Sequence, residues 1–425
     1  MNVDRETNTS ETCECTADED KEMSGPLYAI SNFNPTGDGQ ISLQKGQAVN
    51  VLRRSNENWW WVESNGCYGY APVNHLAGVI STQPEWQDEE YFGNYGNLKL
   101  HLEMLSDKPR TEAYMNAIVK NADKLRDKVI LDVGCGTGIL SMLCVKHARP
   151  KHVYAVEASD IAEYTQKAVE KNGMASKITV LNDFAENAKI EDDVDLIISE
   201  WMGTMLLFEM MIESVLSMRD RFMKPELTIW PSSASLYLVP CTAQVHFNRK
   251  LEFWDCQYGL DFSSFKTLAK EDLLSKPYHD YELPCGDCLA KGQSVLQLDM
   301  KTLTIQSLEN IVCQFEFVID QGDTMHGFCT WFEVEFCPLS EDMDTVILNT
   351  GPDNQLTHWK QNLFLLDSPV RVNAGDVISG TLTISRNPEY RRHLRAFFDF
   401  KVIPGLQESK IVDPSSVQKM FYVWR

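Results

Sequence analysis

The chain has 425 residues, 43% of them hydrophobic, and a formal net charge of −22 at pH 7. That length suits two or three domains with a large core, and the charge argues against a protein that wraps nucleic acid, which needs clustered Lys and Arg. No apolar run approaches the roughly 18–20 residues that cross a bilayer, so no membrane role is expected. The acidic beginning lacks the basic-then-apolar pattern of a secretory signal, which makes the nucleus and cytoplasm the expected compartments. The 12 cysteines are scattered and read as reduced thiols. Cys285 and Cys288 form a CxxC with no second pair of ligands, so no metal is expected.

Residues 1–24 carry eight carboxylates, from Asp4 to Glu22, with almost no large apolar side chain, and predict a disordered acidic tail. From Leu27 the short runs LYAI, ISL, AVNVL, WWWV and CYGYAPVNHL are bounded by Gly, Asn and Ser turns. They predict about five strands of a small all-β barrel over 25–80. The polar stretch STQPEWQDEE places a boundary near Ser81. A linker and helices follow over 81–126, with helical spacing through Tyr91, Leu98, His101, Leu102, Leu105 and Tyr114. Over 127–230, VILDV, VYAVEA, ITVLN and DLIISE alternate with helical stretches, the rhythm of a doubly wound, Rossmann-like parallel sheet. Over 231–425 strands dominate (ASLYLVPCTA, SVLQLDM, VCQFEFVI, TWFEVEF, DVISGTLTIS, RAFFDFKVI) and predict an antiparallel barrel or sandwich.

Strand VILDV runs into Gly134, Gly136 and Gly138, a turn that brings backbone close to a ligand at the carboxyl end of a parallel strand. Position 139 is Ile, so the dinucleotide GxGxxG is not met; GxGxG preceded by Asp132 fits the S-adenosylmethionine class. Glu157 ends the next strand, where a carboxylate can accept from both ribose hydroxyls. Glu200 and Glu209 flank a short apolar turn after a further strand. Two acids in one pocket repel unless a cation lies between them, and a guanidinium, planar and permanently charged, offers paired donors to carboxylates.

These features, SEWMG with its paired acids, LDVGCGTG, VEAS, the helical YFGNYGNLKLHLEMLSDKPRT and THW at Thr357–Trp359, together resemble the protein arginine methyltransferases over residues 89–425. The resemblance implies S-adenosylmethionine as cofactor. It assigns Arg110 to the cofactor carboxylate, Glu157 to the ribose, Glu186 to the adenine amino group, and the three glycines to the methionine end. His101 would sit against the cofactor, and Tyr91 and Tyr95 would close over it. Glu200 and Glu209 would grip the substrate guanidinium, with Met104 and His358 framing the target nitrogen and His358 pairing with Asp107. On pattern alone, Tyr91, Phe92 and Tyr95 read as core packing and His358 as structural; the resemblance gives them roles.

Met104 and His358 imply monomethyl and then asymmetric dimethyl product, with histone tails and Gly/Arg-rich proteins as substrates. Thr204 and Phe208 stand where relatives commonly carry tyrosines. A helical dimerisation arm over about 246–287 implies a homodimer. Residues 27–77 resemble an SH3 domain, in which Phe33, Trp59, Pro72 and Asn74 would bind proline-rich partners; Ser31 and His75 replace two expected tyrosines, and Asp38 remains of the acidic loop. An alternative reading is a weakly active cofactor-binding scaffold or transcriptional coregulator acting through SH3-mediated assembly.

Overall fold

The structure, a computed structural model, describes residues 27–424 except 30–32, 36, 38, 45–46, 55–58, 73–75, 78–85, 223, 225, 389 and 406–415. The expected acidic tail and the expected boundary at Ser81 lie outside the described residues, as do Ser31, Asp38, Asn74 and His75. Two compact units are present, Met1–Glu85 and Trp86–Arg425.

The first unit is an antiparallel sheet in the order β4-β3-β2-β1-β5, from β1 (Leu27–Ala29), β2 (Ala48–Arg54), β3 (Trp59–Ser64), β4 (Cys67–Pro72) and β5 (Leu76–Ala77). Ala29, Ile41, Leu43, Val49, Val62, Ala71 and Leu76 form its core. The ISL run, expected as a strand, makes no ladder: its Leu43 forms only an isolated bridge, to Phe33. The fifth strand comes instead from the end of CYGYAPVNHL.

The second unit opens with α1 (Trp86–Tyr95), α2 (Leu98–Ser106), α3 (Lys108–Lys120) and α4 (Ala122–Leu125). Asn97 caps α2 by accepting from the Lys99 N–H, and Asp107 caps α3 in the same way through Arg110, with Pro109 in the first turn. Next come β6 (Val129–Val133), α5 (Ile139–Ala148), β7 (His152–Glu157), α6 (Ile161–Lys171), β8 (Ile178–Asn182), β9 (Leu196–Ser199), α7 (Ile212–Arg221) and β10 (Thr228–Trp230). The sheet is parallel throughout, in the order β10-β9-β6-β7-β8. Chain direction across the sheet reverses at β6, and ligands bind such sheets at the carboxyl ends of the strands beside that switch. Every residue of β6 is buried, as expected for a central strand covered on both faces.

The last half contains β11 (Ser233–Cys241), α8 (Gln244–Leu251), α9 (Lys266–Leu273), β12 (Tyr278–Tyr281), β13 (Gln293–Asp299), β14 (Asn310–Val318), β15 (Asp323–Phe336), β16 (Val346–Asn349), β17 (Gln361–Val372), β18 (Val377–Arg386), β19 (Leu394–Ile403) and β20 (Val417–Val423). One antiparallel sheet runs β12-β17-β15-β11-β13 with β16 on β15, and the other β14-β18-β19-β20. Their inner faces meet in phenylalanines: Phe328 stacks on Phe398 at 4.9 Å, and Phe364 meets Phe421 edge-on at 5.0 Å. The insertion expected as an arm to residue 287 is helical in its first part, but its Tyr278–Tyr281 pairs with β17 as a strand of the barrel, and a short 3-10 turn, Cys285–Asp287, ends it. Its helical part exposes Val245, Phe253, Tyr258, Leu260, Phe265 and Leu268.

Candidate active site

Four parallel strands, β6, β7, β8 and β9, deliver their carboxyl ends to one cleft. At the end of β6, Gly134 and Gly136 adopt φ of 68° and 51°, a region that strains any side chain. A Cβ at Gly136 would also meet His101 Cε1 at 3.1 Å, so bare backbone forms this wall. Glu157 ends β7 with both oxygens held: Oε2 accepts from the Gly136 N–H and Oε1 from the Ser159 N–H, each at 2.9 Å. Each oxygen has a second lone pair for a ligand hydroxyl.

Beyond β9, the segment from Glu200 to Glu209 turns its apolar residues inward, with Trp201, Met202, Met205, Leu206, Leu207 and Phe208 all buried, and leaves the two glutamates at the cleft. The turn is strained: Met205, Leu206, Glu209 and Met210 have φ of 53°, 67°, 75° and 56°. Such conformations persist only where surrounding contacts over-determine them. Here the Gly203 N–H donates to Leu206 O at 3.0 Å, the Glu209 N–H donates to Arg392 O at 3.0 Å, and Arg392 Nη1 donates to Glu209 O at 2.8 Å.

The carboxylates already hold donors. Arg110 Nε and Nη2 both lie 3.0 Å from Glu200 Oε2, and the Tyr95 hydroxyl donates to Glu209 Oε2 at 2.6 Å. Burial, and then the charge of Glu209, push the Tyr91 and Tyr95 hydroxyls well above the usual tyrosine range, so both remain protonated donors at physiological pH.

A further pair forms between elements far apart in the chain. Asp107 Oδ1 accepts from the Arg110 N–H at 3.0 Å, while Oδ2 accepts from the His358 N–H at 2.8 Å and faces His358 Nδ1 at 2.6 Å. Burial raises the Asp107 pKa, but the bonds from the His358 ring and the two N–H groups outweigh it and hold the carboxyl below its usual range. An ionised carboxylate only accepts, so Nδ1 donates to it and Nε2 is the ring nitrogen left for a ligand. Trp359 Nε1 donates to Met202 O at 2.9 Å and ties this turn to the glutamate segment.

The cleft brings together Tyr91, Tyr95, His101, Met104, Arg110, Gly134, Gly136, Glu157, Glu186, Glu200, Glu209 and His358. His101 is buried, with Nε2 2.7 Å from Tyr95 O; Glu186 is exposed and accepts from the Ser214 hydroxyl at 2.7 Å. The structure places Asp132 and Gly138 behind the residues that line the cleft. Asp132 points beneath the turn, fully buried, and its Oδ2 accepts the Ser141 N–H and hydroxyl at 3.1 and 2.6 Å, which fixes the start of α5. Burial pushes its carboxyl up to about 7. Gly138 packs against α6, where a Cβ would lie 2.8 Å from Thr165 Cγ2. Thr204 lines the cleft, and Phe208 is buried and stacked on His393 at 5.8 Å.

Sequence reasoning missed Phe184, Met211 and Arg392 as cleft residues. Phe184 packs edge-on against Phe92 at 5.1 Å, and its place just after β8 was a usable signal. Arg392 has no local signal; only the tertiary fold brings it there. In the first unit, Phe33 meets Trp59 edge-on at 5.9 Å, and Trp59 pairs with Pro72 across β3 and β4.

A parallel sheet with a glycine turn and an acidic residue at adjacent strand ends, joined to an antiparallel barrel, defines a methyltransferase-type nucleoside site. Comparison with known proteins agrees. The family profile described as a methyltransferase domain matches residues 130–226, the arginine methyltransferase oligomerization subdomain matches 232–404, and the variant SH3 domain matches 28–78. The chain is 45% identical over 405 residues to protein arginine N-methyltransferase 2 of Homo sapiens, covering 94% of this chain and 92% of the relative. It is 35% identical over 344 residues to the probable protein arginine N-methyltransferase 6 of Arabidopsis thaliana, covering 74% and 79%. Among solved structures it is similar to the Trypanosoma brucei PRMT1 enzyme–prozyme heterotetrameric complex with AdoHcy (TM-score 0.70, 30% identity, 78% of this chain and 100% of that one). It is also similar to Arabidopsis thaliana protein arginine methyltransferase 10 (TM-score 0.70, 28% identity, 78% and 99%). The chain belongs to the protein arginine methyltransferase family and carries an SH3 domain.

Proposed function

We propose that this protein transfers methyl groups from S-adenosylmethionine to arginine side chains of proteins, giving monomethyl and then asymmetric dimethylarginine. The observation that carries this is the convergence of Glu200 and Glu209 on the cleft that also holds the glycine turn and Glu157, with a guanidinium, that of Arg110, already seated on Glu200. The residues fit the cofactor: bare backbone at Gly134 and Gly136, a fixed carboxylate at Glu157, a cation at Arg110 and a second carboxylate at Glu186 match its methionine, ribose and adenine groups.

When bound, S-adenosylmethionine supplies a methyl group on a positively charged sulfur, open to in-line attack. Glu200 and Glu209 accept from the substrate guanidinium and draw its positive charge to one side, leaving the target nitrogen richer in electrons. His358 Nε2, left for the substrate by the Nδ1 bond to Asp107, accepts the proton that the nitrogen gives up. Tyr91 and Tyr95 cover the cleft and exclude water. Met104 and His358 limit the space beside the target nitrogen, which favours two methyl groups on one nitrogen over one on each.

Basic tails, such as those of histones and Gly/Arg-rich proteins, suit a chain of charge −22. The exposed apolar residues of the α8–α9 segment and the oligomerization-subdomain match support a homodimer. The SH3 unit recruits proline-rich proteins through Phe33, Trp59 and Pro72, and the chain acts in nucleus and cytoplasm. The test is mass spectrometry of a histone-tail and a Gly/Arg-rich peptide after incubation with full-length protein and S-adenosylmethionine. Gains of one and two methyl groups on arginine, with fragments of the asymmetric isomer, are expected. No gain in the presence of measurable cofactor binding would overturn the reading.

A further inference from the structure

Arg392, in the connection between β18 and β19, lines the cleft. The Arg392 guanidinium makes three kinds of contact at once. Its Nε donates to Asp88 Oδ1 at 2.8 Å, with Nη2 2.7 Å from the same oxygen; Nη1 donates to the Glu209 carbonyl at 2.8 Å; and its Cζ lies 4.0 Å from the centre of the Tyr91 ring. Its own carbonyl accepts the Glu209 N–H at 3.0 Å, and the neighbouring Arg391 N–H donates to Gln87 Oε1 at 2.9 Å. The Arg392 and Asp88 side chains are 17% and 16% exposed, so their pair is largely shielded from the water that weakens surface ion pairs.

Asp88 and Tyr91 belong to α1, the helix that also carries Tyr95. Glu209 sits at φ 75°, a conformation it keeps only while both of its peptide groups are held. A planar guanidinium can hold a carboxylate, a carbonyl and an aromatic face together, which a lysine ammonium cannot. The barrel loop therefore fastens the covering helix and the glutamate through one side chain.

We propose that Arg392 is a positioning residue that couples docking of α1 over the cleft to the placement of Glu209. This rests on the methyltransferase reading for its kinetic consequence but not for its structural one. A cofactor that favours docked α1 sets Glu209 for the guanidinium, and by linkage an arginine peptide tightens cofactor binding by the same factor.

The experiment compares full-length wild type with Arg392→Ala, Arg392→Lys, Asp88→Asn and the double variant Asp88→Asn/Arg392→Ala. It measures hydrogen exchange of residues 86–95, and S-adenosylhomocysteine affinity with and without an arginine peptide. Arg392→Ala is expected to speed exchange of these amides and weaken S-adenosylhomocysteine binding by about tenfold each, the usual effect of losing a charge-assisted bond, and to abolish the peptide's effect on that affinity. Arg392→Lys keeps the charge but loses the fork and falls between wild type and Arg392→Ala. The double variant exchanges no faster than Arg392→Ala, because Arg392→Ala has already removed the contact that Asp88→Asn breaks. If Arg392→Ala lowers the melting temperature but leaves exchange, affinity and peptide coupling within twofold of wild type, the residue is merely structural and the proposal fails; additive effects in the double variant also refute it. Should Arg392→Ala not fold, Arg392→Lys and Asp88→Asn carry the exchange and affinity measurements. A wild type that transfers no methyl group would defeat the functional reading and leave the exchange result to decide this one.

Discussion

Asp132 makes stability depend on pH in a direction opposite to most carboxylates. It is fully buried, one of its oxygens receives two bonds from Ser141, and Oδ1 has no partner. Burial raises its pKa from 3.8 to about 7. Between those values the unfolded chain has released the proton and the folded chain keeps it, so the unfolded state binds fewer protons and stability falls as pH rises. Three pH units at about 1.4 kcal/mol each give a loss on the order of 4 kcal/mol between pH 4 and pH 7. Asp132→Asn removes this titration and changes stability by a constant amount, since Asn can still accept from Ser141. For a unit of about 340 residues, with an unfolding entropy of about 0.7 kcal/mol/K, the variant's melting temperature minus that of wild type should rise by about 6 °C from pH 4 to pH 7. Scanning fluorimetry of both proteins across this range reads the difference, which cancels titrations common to both. A difference that stays flat with pH would show that Asp132 is ionised in the fold and refute the reasoning.

Two further substitutions probe the cleft. Asp107→Asn removes the anion that fixes the His358 tautomer and should lower kcat by about 10²–10⁴-fold while S-adenosylhomocysteine affinity stays within about threefold. Because the folded pKa of Asp107 is depressed, the stability it contributes is full above about pH 4 and lost as pH falls through the folded value; calorimetric melting of the Asn variant should lack that acid-side loss. Gly203→Ala would put a Cβ 2.0 Å from the Phe208 carbonyl oxygen, a backbone atom that moves only with the whole glutamate turn, so activity and several degrees of melting temperature should be lost together. Gly173→Ala is the control: φ is +69° but nothing lies within 4 Å, and the cost should be about 1–2 kcal/mol of backbone strain with activity retained.

Motifs tied to strand ends were legible in the sequence, because a parallel strand fixes where its next residue points; Gly134, Glu157 and Glu200 follow from VILDV, VYAVEA and DLIISE in this way. Asp132 and Gly138 lie in the same motif yet serve the fold beneath the cleft, and spacing alone cannot separate the two faces of a turn. The strand β17 was missed because its first six residues, Gln361–Leu366, are all buried, which removes the period-two alternation that marked NIVCQFEFV. β10 has only three residues and left no pattern to read. Arg392 was invisible because its partners, Asp88 and Glu209, are 304 and 183 residues away along the chain.

The most direct test of the central claim, that the paired glutamates hold the substrate guanidinium and not the cofactor, is to measure turnover and cofactor affinity together in Glu209→Gln. Methyl transfer to a Gly/Arg-rich peptide should fall by at least about 10²-fold, with S-adenosylhomocysteine affinity within a few fold of wild type. Comparable loss of both, or retained turnover, would contradict it.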